Sequence, residues 1–156
     1  KPGISTTDQR EEGFKAAMTN YPDITVLETQ FNDDDANKAS AQVNAVVARA
    51  PDLSGIFGAN LFSAIGSADG VKAMGKSGEI KVVAFDAPTR IVDDLKSGLI
   101  DLAIAQHPAE IGYMGVMVAF GHVTDNPVPV SIGTGFTVMT ADNIDDPAIS
   151  KYVYSD

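Results

Sequence analysis

Cysteine is absent from these 156 residues, and histidine occurs only at His107 and His122. The first absence excludes disulfides, thiolate nucleophiles and cysteine-ligated metals. The second excludes a histidine-rich metal site, because the two lie far apart and lack partners nearby in sequence. Zero cysteine suits an exported protein that avoids stray disulfides, although cytosolic chains also lack it. Positive charge is scarce too: 11 Lys and Arg stand against 21 Asp and Glu, a formal net charge of -10. Such a chain is repelled by nucleic acid and by anionic membranes, so no nucleic acid partner is expected. No apolar run approaches the length that spans a bilayer. No signal-like stretch opens the sequence, which says little because mature exported proteins have lost theirs. There is no internal repeat and no low-complexity linker.

What is present is an alternation of helical and strand-like periods. Residues 7–21 read as a helix with Phe14, Ala17 and Met18 on one face, and Ser5, Thr6, Thr7 or Asp8 as candidate caps. A β-rich run follows at 24–28. Residues 36–50 form a second helix whose stripe is Ala36, Ala39, Val43, Val46 and Val47, stopped by Pro51. A short strand at 53–57 leads to a helix at 61–74 ended by Gly75. Residues 80–85 are apolar on both faces, as a central parallel strand requires. A helix at 89–97 ends at Gly98; a strand at 102–105 and a long helix at 109–123 follow. Residues 125–129 read as an extended crossing segment, 136–139 as a last strand, and 141–156 as an acidic tail with one helical turn.

This order predicts an α/β fold: a parallel sheet flanked by helices. The opening Lys1-Pro2-Gly3-Ile4 reads as a loop running straight into a helix. Doubly wound domains begin with a strand, so the chain is expected to start in mid-domain, lacking its first strand. The alternative is that the first helix is an amino-terminal addition.

Ligands of open α/β sheets bind beyond the carboxyl ends of the strands. Residues 30–34 follow the first predicted strand, Asn60 the second, and Asp86 and Gln106 end the next two, with Arg10 near the start of the first helix. Arg10 offers a fork of donors, Asp86 accepts, and Asn60 and Gln106 do both. Vicinal hydroxyls, which donate and accept at once, match that set. Each residue also has a plain reading. Asn60 caps a helix, Asp86 makes a turn, Gln106 is solvated, and Arg10 is an exposed first-turn arginine. Their recurrence at one end of successive strands favours a site. The Asp33-Asp34-Asp35 run lacks the glycine and distant glutamate of a calcium loop and reads as a capped helix start, with Asp34 able to face the cleft. No catalytic constellation and no cofactor motif is found: Ser5 and Ser63 have no nucleophile-elbow context, and residues 1–7 are glycine-poor for a phosphate cradle.

These residues resemble a family. Arg10-Glu11-Glu12-Gly13-Phe14 resembles the arginine and glycine-phenylalanine helix start of ribose-type periplasmic binding proteins. Residues 56–60 with 64–68, 82–86, and 103–106 with Pro108, Ile111 and Gly112 resemble its other segments, in the right order. The resemblance implies a non-enzymatic, periplasmic, two-lobed protein that closes on a sugar or polyol and delivers it to an ABC transporter permease. It implies that Arg10, Asn60, Asp86, Gln106 and Asp34 lie at the ligand. It divides the chain into a carboxyl-terminal lobe at 1–106, incomplete at its start, a helix and linker at 107–127 that would lie on the absent amino-terminal lobe, and a returning strand and tail at 128–156. Two departures stand out: Asp34 falls where many relatives carry a stacking aromatic, and Leu61 where they carry aspartate. The first suggests a ligand other than a common hexopyranose, such as a sugar alcohol or unusual pentose. Two other readings share the core: the effector domain of a LacI-type repressor, marked by a basic helix-turn-helix upstream, and a flavodoxin- or receiver-like domain.

Overall fold

A computed structural model describes residues 1–155; Asp156, the end of the predicted tail, lies outside the described residues. The elements run α1 (Ser5–Met18), α2 (Ala36–Arg49), β1 (Gly55–Gly58), α3 (Leu61–Ala73), β2 (Lys81–Phe85), α4 (Thr89–Lys96), β3 (Leu102–Gln106), α5 (Pro108–Val123), β4 (Phe136–Met139) and α6 (Pro147–Ser150). Four strands form one sheet in the order β1-β2-β3-β4. The first three are parallel. Strand β4 adds an antiparallel edge, with Phe136 opposite Gln106 and Met139 opposite Ala103. Its direction follows from where the chain comes back: it leaves the sheet after Gln106 and returns beside that same residue, so it must run the opposite way.

Strand period sorts the residues onto two faces. Val82, Ala84, Ala103 and Ala105 are fully buried on one face, in a core with Val43, Val47, Val71, Ile91 and Leu95 of the helices. Small residues let the helices come close. A Cβ on Gly66 would stand 2.2 Å from the Ala36 carbonyl oxygen, and one on Gly58 2.6 Å from the Ala64 backbone. On the other face, Phe57, Val83 and Phe85 are only partly covered. Helix α1 lies over them, with Phe14 stacked on Phe57 at 5.4 Å between centroids.

The predicted stops hold, with Gly75 and Gly98 in left-handed conformation at φ 68° and 74° just beyond α3 and α4. Two expectations fail. None of the expected caps serves α1. Gly3, at φ 80°, turns the chain so early that Ile4 takes the cap position, and Thr7 Oγ1 donates back to its carbonyl at 3.0 Å. More telling, 24–28 is not a strand. A strand exists only as half of a ladder, and β1 is paired to β2 alone among the described residues.

Candidate functional site

Strand ends and helix starts bring the five expected site residues to one rim. Asn60 ends the β1 turn and caps α3, its Oδ1 accepting from Ser63 N at 3.0 Å. The same amide turns its Nδ2 to Asp34 Oδ1 at 2.5 Å. The cap reading of Asn60 therefore holds for one end of the amide, and the other end is turned to Asp34. Asp86 follows β2 at φ 79°, in the region costly for residues other than glycine. Its backbone N–H still reaches Ile104 O at 2.9 Å, and its Oδ1 accepts from Gln106 Nε2 at 2.6 Å.

Arg10 joins these two pairs. Nη1 donates to Ala59 O at 2.9 Å, and the guanidinium lies 3.5 Å above the centroid of the Phe85 ring. This half-buried arginine is not the exposed first-turn residue of the plain reading. Burial pushes its pKa below the ordinary arginine value, while Asp86 and Tyr154 pull it back up. One of its five N–H donors is committed to Ala59, and the planar fork is held flat for others. A row results: Asp34, Asn60, Arg10, Asp86, Gln106. It alternates acceptors with donors along the carboxyl edge of the sheet, and can bind adjacent hydroxyls that both donate and accept.

Sequence reasoning missed the support behind the row. Asn32 is 4% exposed; its Nδ2 donates to Ser63 Oγ at 3.0 Å, and its Oδ1 accepts from Asp34 N at 3.3 Å. It anchors the loop on which Asp33 and Asp34 both take positive φ. Asp35 caps α2 by accepting from the N–H groups of Asn37 and Lys38, as the capped-helix reading expects. Phe85 was also missed as the seat of Arg10. No local pattern reports that contact, because the two residues belong to segments far apart in sequence. Among the described residues no cluster of His, Asp or Glu could hold a metal. A cavity of about 730 Å³ is lined by Ala59 and Asn60, by Gly55, Ile56 and Phe57 of β1, by residues 23–32 and by parts of α1 and α2. Of the polar row, only Asn60 is in the lining of that cavity.

The fold is an open α/β sheet, a class whose ligands sit beyond the carboxyl ends of the strands. The chain belongs to the periplasmic binding protein domain family, whose profile matches residues 1–127. A crystal structure of an ABC transporter solute-binding protein from Agrobacterium vitis, bound with alpha-D-tagatopyranose, is 65% identical to it. That superposition has a TM-score of 0.97 and covers all of this chain and 52% of the other. The ribose import binding protein RbsB of Haemophilus influenzae is 33% identical over 134 residues, 83% of this chain and 45% of its own length. The D-ribose/D-allose-binding protein of Pseudomonas aeruginosa is 31% identical over 120 residues, 75% of this chain and 37% of its own length. The chain thus spans about half, or less, of these relatives.

Proposed function

We propose that this chain is one lobe of the solute-binding component of an ABC importer, and that it binds a sugar or sugar alcohol between two lobes in the periplasm. The observation that carries the proposal is the row of Asp34, Asn60, Arg10, Asp86 and Gln106, already hydrogen-bonded in pairs along one rim. Preorganised groups lose little entropy on binding, and a hydroxyl left out of the row strands a polar partner at about 1–3 kcal/mol. This is how a binder selects among sugars that differ at one carbon.

The ligand class follows from the rim and from the tagatopyranose-bound relative. A ketohexose in its ring form is the first candidate, and D-tagatose the first compound to try. Asp34 supports a hydrogen-bonding contact where an aromatic would stack, and so favours it over common aldohexopyranoses. A transport role is favoured over a repressor effector domain because the relatives named above are solute-binding and import proteins. Helix α5 supports the rest of the architecture. It has no buried residue, and Tyr113, Val116, Phe120 and Val123 are each more than 60% exposed. In this reading 107–127 lies on the second lobe, 128–156 crosses back to the sheet, and a permease receives the closed form.

Thermal unfolding of the two-lobed protein with D-tagatose, D-ribose, D-allose, D-glucose and galactitol tests the proposal. At a hundred times Kd a ligand adds about 2.7 kcal/mol, a rise of several degrees. Stabilisation by tagatose ahead of glucose is expected. Indifference to every sugar and polyol would overturn the function, and a preference for glucose the ligand class.

A further inference from the structure

The tail after α6 touches the exits of two neighbouring strands. It starts from a fixed base: Ile144 is buried, and Asp145 Oδ1 accepts from Lys96 Nζ of α4 at 2.6 Å. Past α6, Tyr152 stacks on His107, the residue after Gln106. Two residues on, Tyr154 forms a parallel bridge with Pro88, and its backbone N–H points to Ala87 O at 3.4 Å. Ala87 is the residue after Asp86. Tyr152, Val153 and Tyr154 are all partly buried against the core. Neighbouring strands lie about 4.8 Å apart and an extended residue covers about 3.3 Å, so a step of two residues spans one exit to the next. One short segment thus grips the chain directly behind Asp86 and directly behind Gln106. These are the rim residues bonded to each other at 2.6 Å.

The grip matters most at Asp86. Its φ of 79° is a conformation that persists only where the surroundings leave no alternative. On one side its backbone N–H is held by Ile104 O at 2.9 Å. On the other, Ala87 and Pro88 are buried, the proline ring fixes φ at -71°, and the tail bridges them. Arg10 is the third member. Burial lowers its pKa, and Asp86 and then Tyr154 raise it, so Tyr154 acts on the same guanidinium as the site aspartate.

We propose that residues 152–154 form a strap over the strand exits, and that Tyr154 is a positioning residue that holds Asp86 and Arg10 where a ligand's hydroxyls meet them. Its role toward a ligand rests on the sugar-binding reading of the rim, while the strap is a property of this lobe alone. A phenol suits the place. Its oxygen can accept from a guanidinium and stays neutral below about pH 10, so it orients Arg10 without neutralising it. A second carboxylate there would pair with the fork and withdraw it from the ligand.

Two measurements on the two-lobed protein test this, one without sugar and one with it. Without sugar, Tyr154→Phe keeps the ring and removes the hydroxyl. It should shift the Arg10 Nε–H resonance and leave that of Arg90 in place; Arg10→Lys identifies the signal by deleting it. With D-tagatose, Tyr154→Phe should weaken binding about threefold to tenfold, the loss of one hydrogen bond, while the thermal midpoint stays within about two degrees. In an Arg10→Lys background, which keeps the charge but not the fork, the same substitution should cost less than twofold. An unmoved Arg10 resonance overturns the proposal. So does full affinity in Tyr154→Phe, or an equal loss in both backgrounds, which would make Tyr154 a contact of its own. A parent protein that binds no sugar while the Arg10 resonance shifts overturns the sugar reading and leaves the strap standing.

Discussion

His107 lies flat against Tyr152, with ring centroids 3.7 Å apart and planes inclined by 9°, while its Nε2 meets Thr137 Oγ1 at 2.8 Å. These contacts tie together three stretches distant in sequence: the exit from β3, strand β4, and the tail after α6. The first two are also the strands through which the chain leaves the sheet for α5 and comes back to it. His107→Ala removes a stacked ring pair, worth about 0.5–1.5 kcal/mol, and a hydrogen bond of about 1 kcal/mol. A loss near 2 kcal/mol in urea unfolding is expected. His107→Phe keeps the ring and should recover about half. Equal losses for both variants would show that stacking contributes nothing.

Gly66 and Gly70 stand four apart on α3 and face α2, where added Cβ atoms would lie 2.2 Å from Ala36 O and 3.0 Å from Ser40 O. Alanine is the better helix former by about 1 kcal/mol. At Gly66 the clash is with backbone and must separate the two helices, so Gly66→Ala should cost 2 kcal/mol or more. At Gly70 propensity and crowding nearly offset, and Gly70→Ala should stay within about 1 kcal/mol of the parent. Denaturant titration of the two variants checks the order; a reversal would mean that α2 yields at Ala36.

The helices were legible in the sequence because their apolar period and glycine stops are local, as at Gly75 and Gly98. Asn60, Asp86 and Gln106 were legible as neighbours because strand ends share one edge of a parallel sheet. Pairing was not legible. Residues 24–28 have strand composition and no ladder, since a ladder depends on a second chain segment that no local pattern reports. For the same reason Arg10 gave no sign of resting on Phe85, which belongs to a distant strand. Asp33 and Asp34 gave no sign of their positive φ, because aspartate tolerates both regions.

Glu11 carries a pH dependence. Hydrogen bonds from Lys15 and from Thr29 Oγ1, the latter at 2.7 Å, hold its pKa below the ordinary glutamate value. A depressed carboxyl stabilises the fold above the unfolded glutamate value, about 4.3, and loses that contribution as pH falls through the lower folded one. The group is near the surface, so the effect stays below about 1 kcal/mol. Glu11→Gln should flatten the acid limb of a plot of Tm against pH, leaving 24–31 less tied to α1. An unchanged acid limb would place acid sensitivity elsewhere.

Asp86 separates folding from binding. At φ 79° an aspartate carries strain of about 1 kcal/mol that glycine lacks, while its bond to Gln106 contributes about as much. Asp86→Gly should therefore unfold within about 1 kcal/mol of the parent. Its effect on the ligand is not balanced in this way, because a carboxylate facing hydroxyls supplies a charge-assisted bond of about 1.5–3 kcal/mol. Sugar affinity of the two-lobed protein should fall tenfold or more. A residue present only to make the turn after β2 would give the opposite result, with affinity kept and stability raised. Calorimetric titration alongside thermal unfolding of the same variant distinguishes the two, and retained affinity would remove Asp86 from the site.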